Sequence, residues 1–204
     1  MISLTLGQIS EIVGGKTYGD ASQLITSAPV FDSRLATPGC IFLALKGEVA
    51  DGHDFAADAY RAGAMFSLTT RRIDGPCIVV KDVIEAVSIL AAFVRKRLTN
   101  LKVIGITGSQ GKTSTKDLLS HMLSNVGPTV APKGSFNNDL GLPITLLECD
   151  EHTQFCILEM GARHKGDIAR LCEIAQHDIG VVLTVGTAHL GEFGSVEGIA
   201  ETKS

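Results

Sequence analysis

The sequence predicts an α/β protein: a small mixed α/β domain over residues 1–82, then a parallel, doubly wound sheet domain over residues 83–204. Three observations carry that prediction. Three apolar runs, at 103–107, 155–160 and 179–185, alternate with helical patterns at 113–124 and 167–175, as in a parallel sheet covered on both faces. A small-residue turn, Thr107-Gly108-Ser109-Gln110-Gly111-Lys112-Thr113-Ser114, joins the first run to the first of those helices. Upstream of residue 83 the apolar runs are shorter and interleaved with brief helical patterns, which suits a mixed unit.

In the first domain, Thr5-Leu6-Gly7-Gln8 has capping-box spacing. Leu4, Ile9, Ile12 and Val13 then mark a short amphipathic helix closed by Gly14-Gly15. Short strands are expected at 24–31, 40–45, 64–68 and 77–80, with a helix at 54–62 stopped by Gly63. The helix expected at 83–98 places Val83, Val87, Leu90, Ala91 and Val94 on one face. Its basic end, Arg95-Lys96-Arg97, suits the negative end of the helix dipole better than a phosphate site.

Composition narrows the function classes. The 204 residues carry 18 basic and 22 acidic side chains, a net charge of −4, which argues against a nucleic-acid binder with its usual basic face. With 45% hydrophobic and 20% charged residues the chain is too apolar for disorder. No apolar run reaches the roughly 18 residues of a membrane span. Met1-Ile2-Ser3-Leu4-Thr5 lacks the basic start and apolar stretch of a signal peptide. The high glycine count of 22, beside 5% aromatics and no Trp, fits tight turns around a ligand better than a stacking surface. Five cysteines, Cys40, Cys77, Cys149, Cys156 and Cys172, show no metal or redox spacing, and a reducing compartment fits them.

In a doubly wound sheet, ligands gather beyond the carboxyl ends of the strands. After the first run, Gly108, Ser109, Gln110 and Gly111 let backbone N–H groups wrap a phosphate, and the helix that follows adds its positive end. Lys112 can then reach the outer phosphates, with the Thr113 hydroxyl placed for Mg²⁺ and Ser114 beside it. Ile106 stands where the usual template has its first glycine, so the loop is a variant. The competing reading is an ordinary strand-to-helix turn. The second run ends in Glu159-Met160-Gly161, and an acid there is costly unless it meets a cation such as Mg²⁺; a cap or a surface carboxylate is the alternative. The third run leads to Gly186-Thr187-Ala188-His189, at the same sheet edge. Asn137 and Asn138, within Gly134–Pro143, either bind ligand or cap the next helix. Asp32-Ser33-Arg34 is either a turn or an anionic-nucleotide contact, since Arg34 has a donor fork for phosphate. His53 is ambiguous, and His121, His152 and His177 read as surface or packing residues.

Together these residues resemble the Mur ligases, the ATP-dependent amide-forming enzymes of peptidoglycan synthesis. Asp32-Ser33-Arg34, Pro38-Gly39 and Phe42-Leu43-Ala44-Leu45-Lys46-Gly47 look like the family's uridine-nucleotide domain. Asn137-Asn138-Asp139-Leu140-Gly141-Leu142-Pro143, Ala188-His189-Leu190 and Phe193-Gly194-Ser195 look most like the branch that joins D-alanyl-D-alanine to UDP-N-acetylmuramoyl-tripeptide through an acyl phosphate. The resemblance implies ATP held by the loop from Gly108 to Thr113, with Lys112 on its β/γ-phosphates. It also implies one Mg²⁺ on Thr113 and Glu159, and a second on His189.

Asn137 and Asn138 would contact the ATP phosphates or the muramoyl substrate. Asp32, Ser33, Arg34 and Lys46 would hold the UDP-muramoyl peptide. Lys203 matches a family lysine that becomes carbamylated to support the second Mg²⁺; the plain alternative is a solvated lysine. Arg163 stands where the family often has Asn, and no role is carried onto it. The partners so implied are small molecules, with no nucleic acid and no membrane, for a cytoplasmic monomer. The alternatives are the branch that adds the third peptide residue, a non-catalytic nucleotide- or UDP-sugar-binding module, and a small P-loop kinase or GTPase. The resemblance further implies an incomplete central ATP-binding domain, so that these 204 residues alone bind a uridine nucleotide without turnover.

Overall fold

The computed structural model describes residues 1–134, 136–162, 164–184 and 186. The chain forms two compact units, Met1–Phe93 and Val94–Ser204. The division falls within helix α3 (Val83–Arg97), whereas the sequence placed it just ahead of that helix.

The first unit opens with strand β1 (Leu4–Thr5) and helix α1 (Leu6–Val13). The capping box forms as the spacing requires: Gln8 N–H donates to Thr5 Oγ1 at 3.2 Å, and Thr5 N–H donates to Gln8 Oε1 at 2.9 Å. Gly14 closes the helix in the left-handed region at φ 63°. Then follow β2 (Lys16–Tyr18), β3 (Leu24–Ile25), β4 (Ile41–Leu43), α2 (Ala56–Ala62), β5 (Phe66–Thr69) and β6 (Cys77–Val79). The main sheet runs β2-β6-β5-β4, with β2 antiparallel to β6 and the other pairs parallel. Phe42, Cys40 and Ala44 pack there against Ala56, Ala59 and Ala64.

Two elements here differ from the sequence expectation. The strand expected over 24–31 is only β3, which pairs with β1, and a single bridge from Val30 to Phe42. Between them Thr26 and Ser27 both turn their N–H groups to the Gly39 carbonyl, and Pro29 has none to give. The helix expected at 54–62 begins as a 3₁₀ turn at Gly52–Phe55 and becomes α-helical only at Ala56.

The second unit carries β7 (Lys102–Thr107), α4 (Lys112–Ser124), β8 (Thr129–Val130), α5 (Gly141–Glu148), β9 (Phe155–Glu159), α6 (Asp167–Ala175) and β10 (Ile179–Val182). The four strands among the described residues are all parallel, in the order β10-β7-β9-β8, the expected sheet. Strand alternation sends Ile104, Ile106 and Ile157 to one face, where Leu119 and Leu123 of α4 cover them. On the other face Cys156 meets Cys149 at the end of α5, and that contact with burial pushes the Cys156 thiol well up. There Gly105 leaves room for neighbours, since a Cβ would lie 2.8 Å from Met160 Cε. The two-residue β8 is not predicted by the sequence, and α5, anticipated only as a helix that Asn137 or Asn138 would cap, shows no amphipathic period because seven of its eight residues are buried.

At the amino ends of these strands Asp178 accepts Val103 N–H at 2.8 Å and Arg95 Nη2 at 3.0 Å. The Val103 N–H bond is the chief reason its carboxyl lies below the usual carboxylate value. Arg95 also donates to the carbonyls of Ala175 and Gln176 at the end of α6. It therefore serves the negative end of a neighbouring helix as well as its own. All five cysteines are free, and no helix among the described residues is long and apolar enough to cross a membrane.

Gly14 and Gly63 separate two costs of replacing a left-handed glycine. A Cβ at Gly14 meets nothing within 4 Å, whereas at Gly63 (φ 117°) it would lie 2.8 Å from the Pro38 nitrogen. Chemical denaturation is expected to show a loss of about 1 kcal/mol for Gly14→Ala and a clearly larger loss for Gly63→Ala.

Candidate functional site

The site gathers at the carboxyl ends of β7, β9 and β10. The small-residue turn after β7 lets the chain reverse: Gly108 has φ 151° and Gly111 φ 84°. A Cβ on Gly108 would lie 2.9 Å from Leu183 Cβ, so only glycine admits the close approach to the segment after β10. That segment holds the loop: Ser109 N–H donates to the Thr184 carbonyl at 2.8 Å, and Gly186 N–H donates to Ser109 Oγ at 2.9 Å.

No side chain caps the start of α4, so the first-turn N–H groups and the positive end of the helix dipole face the loop. Lys112 folds back across it, its Nζ donating to the Gly108 carbonyl at 2.9 Å. This is the geometry of an anion cradle. Gln110 and Ser114 stand exposed at its rim.

Beside the cradle lies Glu159, last residue of β9, paired in register with Ile106 of β7 and only 1% exposed. Thr113 Oγ1 donates to its Oε2 at 3.0 Å, and Asn137 Nδ2 donates to its Oε1 at 3.1 Å. Both donors are neutral, and among the described residues no cationic side chain pairs with this carboxylate. Glu159 is thus neither a helix cap nor a surface acid. A buried carboxylate with hydroxyl and amide oxygens alongside is a donor set that fits a hard divalent cation.

The two asparagines divide. Asn137 turns to Glu159, and its carbonyl accepts Gly161 N–H at 2.8 Å. Asn138 Oδ1 accepts the N–H groups of Leu140 and Gly141 at 3.3 and 2.9 Å, capping α5.

One residue of this site went unread in the sequence. Lys116 is 3% exposed, and its Nζ reaches the carbonyls of Pro132 at 2.9 Å and Gly134 at 3.3 Å and the carboxylate of Asp117 at 2.7 Å. The signal was present: positions 116, 119 and 123 share one face of α4, and the other two are the leucines that cover the sheet.

In the first unit Asp32 caps the 3₁₀ turn Ser33–Leu35, its Oδ1 accepting Arg34 N–H at 3.0 Å. Arg34 closes back on the same carboxylate, Nε at 2.9 Å and Nη2 at 2.6 Å, with its side chain 86% exposed. Lys46 is exposed and bridges to Asp51 across the following turn. His53, ambiguous in the sequence, is buried with Nδ1 2.5 Å from Asp51 Oδ1 and Nε2 accepting Thr70 N–H at 3.2 Å. Those partners put the proton on Nδ1 and make His53 a tie between the loop after β4 and the end of β5. The predicted His189 and Lys203 lie outside the described residues, as does Arg163.

Four matches to known proteins accord with this geometry. The Mur ligase middle domain pattern matches residues 106–204. The UDP-N-acetylmuramoyl-tripeptide–D-alanyl-D-alanine ligase of Mycobacterium tuberculosis is 49% identical over 232 aligned positions, covering 100% of this chain and 46% of that protein. Crystal structure I of MurF from Acinetobacter baumannii superposes with a TM-score of 0.88 at 39% identity, over 98% of this chain and 45% of that one. MurF ligase from Thermotoga maritima, solved in complex with ADP, gives a TM-score of 0.76 at 37% identity, over 87% of this chain and 42% of that one. The chain thus spans about half the length of these relatives.

Arg34's side-chain bonds and its N–H hold the Asp32 carboxyl at about 2, below the ordinary 3.8. A folded-state value below the unfolded one gives a contribution that is present above pH 3.8 and lost as pH falls through about 2. A carboxyl-carbon NMR titration is expected to find that midpoint, and Arg34→Ala to move it up toward 3.8.

Proposed function

Since this chain belongs to the Mur ligase family, we propose that it forms part of an ATP-dependent ligase joining D-alanyl-D-alanine to UDP-N-acetylmuramoyl-tripeptide. The observation that carries the reading is the uncapped start of α4, with Lys112 folded over its loop, set beside the buried carboxylate of Glu159. An uncapped helix end with a lysine accepts phosphates, and an adjacent buried acid accepts their metal ion.

In the proposed reaction the terminal carboxylate of the muramoyl peptide attacks the γ-phosphorus of ATP, breaking the bond to the β-bridging oxygen and releasing ADP. The amine of the dipeptide then attacks the acyl phosphate, and phosphate leaves. The loop N–H groups from Gly108 to Gly111 and the start of α4 hold the triphosphate. Lys112 moves off the Gly108 carbonyl onto the outer phosphates, meeting charge that grows on the transferred group. Mg²⁺, when bound, supplies charge neutralisation at the phosphate oxygens. Thr113 and Glu159 would hold it, with Asn137 orienting the carboxylate. Asn138, engaged in capping, would support the loop that presents Asn137.

Asp32, Ser33, Arg34 and Lys46 would bind the UDP part of the substrate. Arg34 offers the phosphate an exposed guanidinium already turned by Asp32. A second Mg²⁺ on His189, supported by a carbamylated Lys203, belongs to the same proposal on the family resemblance alone. So do a cytoplasmic location and a monomeric state.

The test is a phosphate-release assay on the whole protein that carries this chain, with ATP, Mg²⁺, the UDP-muramoyl tripeptide and D-alanyl-D-alanine. Release is expected with that pair, and Lys112→Ala is expected to lower kcat by about 10²–10³. Release only with the UDP-muramoyl dipeptide and a diamino acid or lysine overturns the reading in favour of the third-residue ligase. No release with any amino acceptor points to a binding module.

A further inference from the structure

We propose that Lys116 is a positioning residue of the metal–nucleotide site: by holding the Pro132 and Gly134 carbonyls it sets the Asn137 amide against Glu159. The inference rests on the metal reading of Glu159 given above. The chain of contacts is short. The Lys116 ammonium donates to Pro132 and Gly134, the segment continues to Asn137, and Asn137 Nδ2 donates to Glu159 Oε1 at 3.1 Å. The other carboxylate oxygen is held by Thr113 of the same helix at 3.0 Å. Helix α4 thereby determines both partners of Glu159, one directly and one through a lysine a turn further on.

Packing alone does not call for an ammonium here. Leu119 and Leu123, on the same face of α4, are the kind of side chain that fills such a position without desolvating a charge. The three ammonium protons instead meet three acceptors, two of them backbone carbonyls of the loop leading to Asn137. Loop carbonyls read by a fixed charged donor are held to a narrow set of positions. A misplaced Asn137 leaves Glu159 free to rotate away from Thr113, which weakens metal binding without removing a ligand.

The experiment measures ADP affinity by calorimetry on the whole protein, with Mg²⁺ and with a chelator in its place. Lys116→Met is expected to weaken ADP binding about tenfold in Mg²⁺ and to leave binding in chelator within about twofold, the range for loss of a group that orients a metal ligand. Lys116→Gln, which keeps a polar head if the methionine variant does not fold, is expected to do the same. Asn137→Ala should match the single loss, and the double variant should lose about tenfold rather than a hundredfold, because both act on one contact. A Mg²⁺-dependent affinity within twofold of the parent in a folded Lys116 variant, or additive losses in the double variant, overturns the proposal. A parent whose ADP affinity ignores Mg²⁺ overturns the metal reading itself, and the Lys116 role with it.

Discussion

A carboxylate that is 1% exposed at the end of a parallel strand organises the second unit. Such a group has to be met on every side by donors or by a cation. The register of β9 against β7 brings Glu159 level with Ile106, at the point where the chain turns into the small-residue loop. Helix α4 then has to start close enough for its second residue to reach the carboxylate, and the chain at Asn137 has to pass close enough for its amide to do so. The close approach of Gly161 to Asn137, where a Cβ would lie 3.0 Å from the amide carbon, follows from the same crowding. One buried charge thus accounts for a glycine, a threonine, an asparagine and the direction of a helix.

The first unit manages its charges differently. Asp32, Arg34 and Lys46 are partly or fully exposed, and a buried tie runs from Asp51 through His53 to Thr70. That tie fastens the loop after β4 to the sheet while leaving Lys46 in solvent. The contrast suits the proposed division of labour. A site that neutralises phosphate charge in a dry setting needs rigid donors, whereas a site that retains a nucleotide by ion pairing can work in water.

Much of this was legible because the relevant signals are local. Capping-box spacing at Thr5–Gln8, glycine at two points of the small-residue loop after β7 and an acid at the end of an apolar run each depend on neighbours within a few residues. The losses came where tertiary structure decides. Residues 24–31 look like one strand, yet the chain there passes from one sheet to another around Pro29. Helix α5 is buried almost all round and has no periodicity to read, and the sequence leaves its cap, Asn138, equally open to a ligand role. Lys116 gives no sign by its residue type, since most lysines are solvated; its apolar companions at 119 and 123 are the clue to its burial. The roles of the asparagines could not be separated from sequence, since which one turns to Glu159 depends on where β9 ends.

The Asp178 cluster lies at the opposite end of the sheet from all this chemistry. Its bonds to Val103 N–H and Arg95 tie the start of β10 to the start of β7, and Arg95 ties both to the end of α6. A parallel pair anchored at its amino ends keeps its alignment whatever happens to the loops at its carboxyl ends. The carboxyl ends of β10 and β7 therefore do not carry the alignment of that pair alone. Loops at those ends can then change in length and chemistry with less disturbance to the strands beneath them.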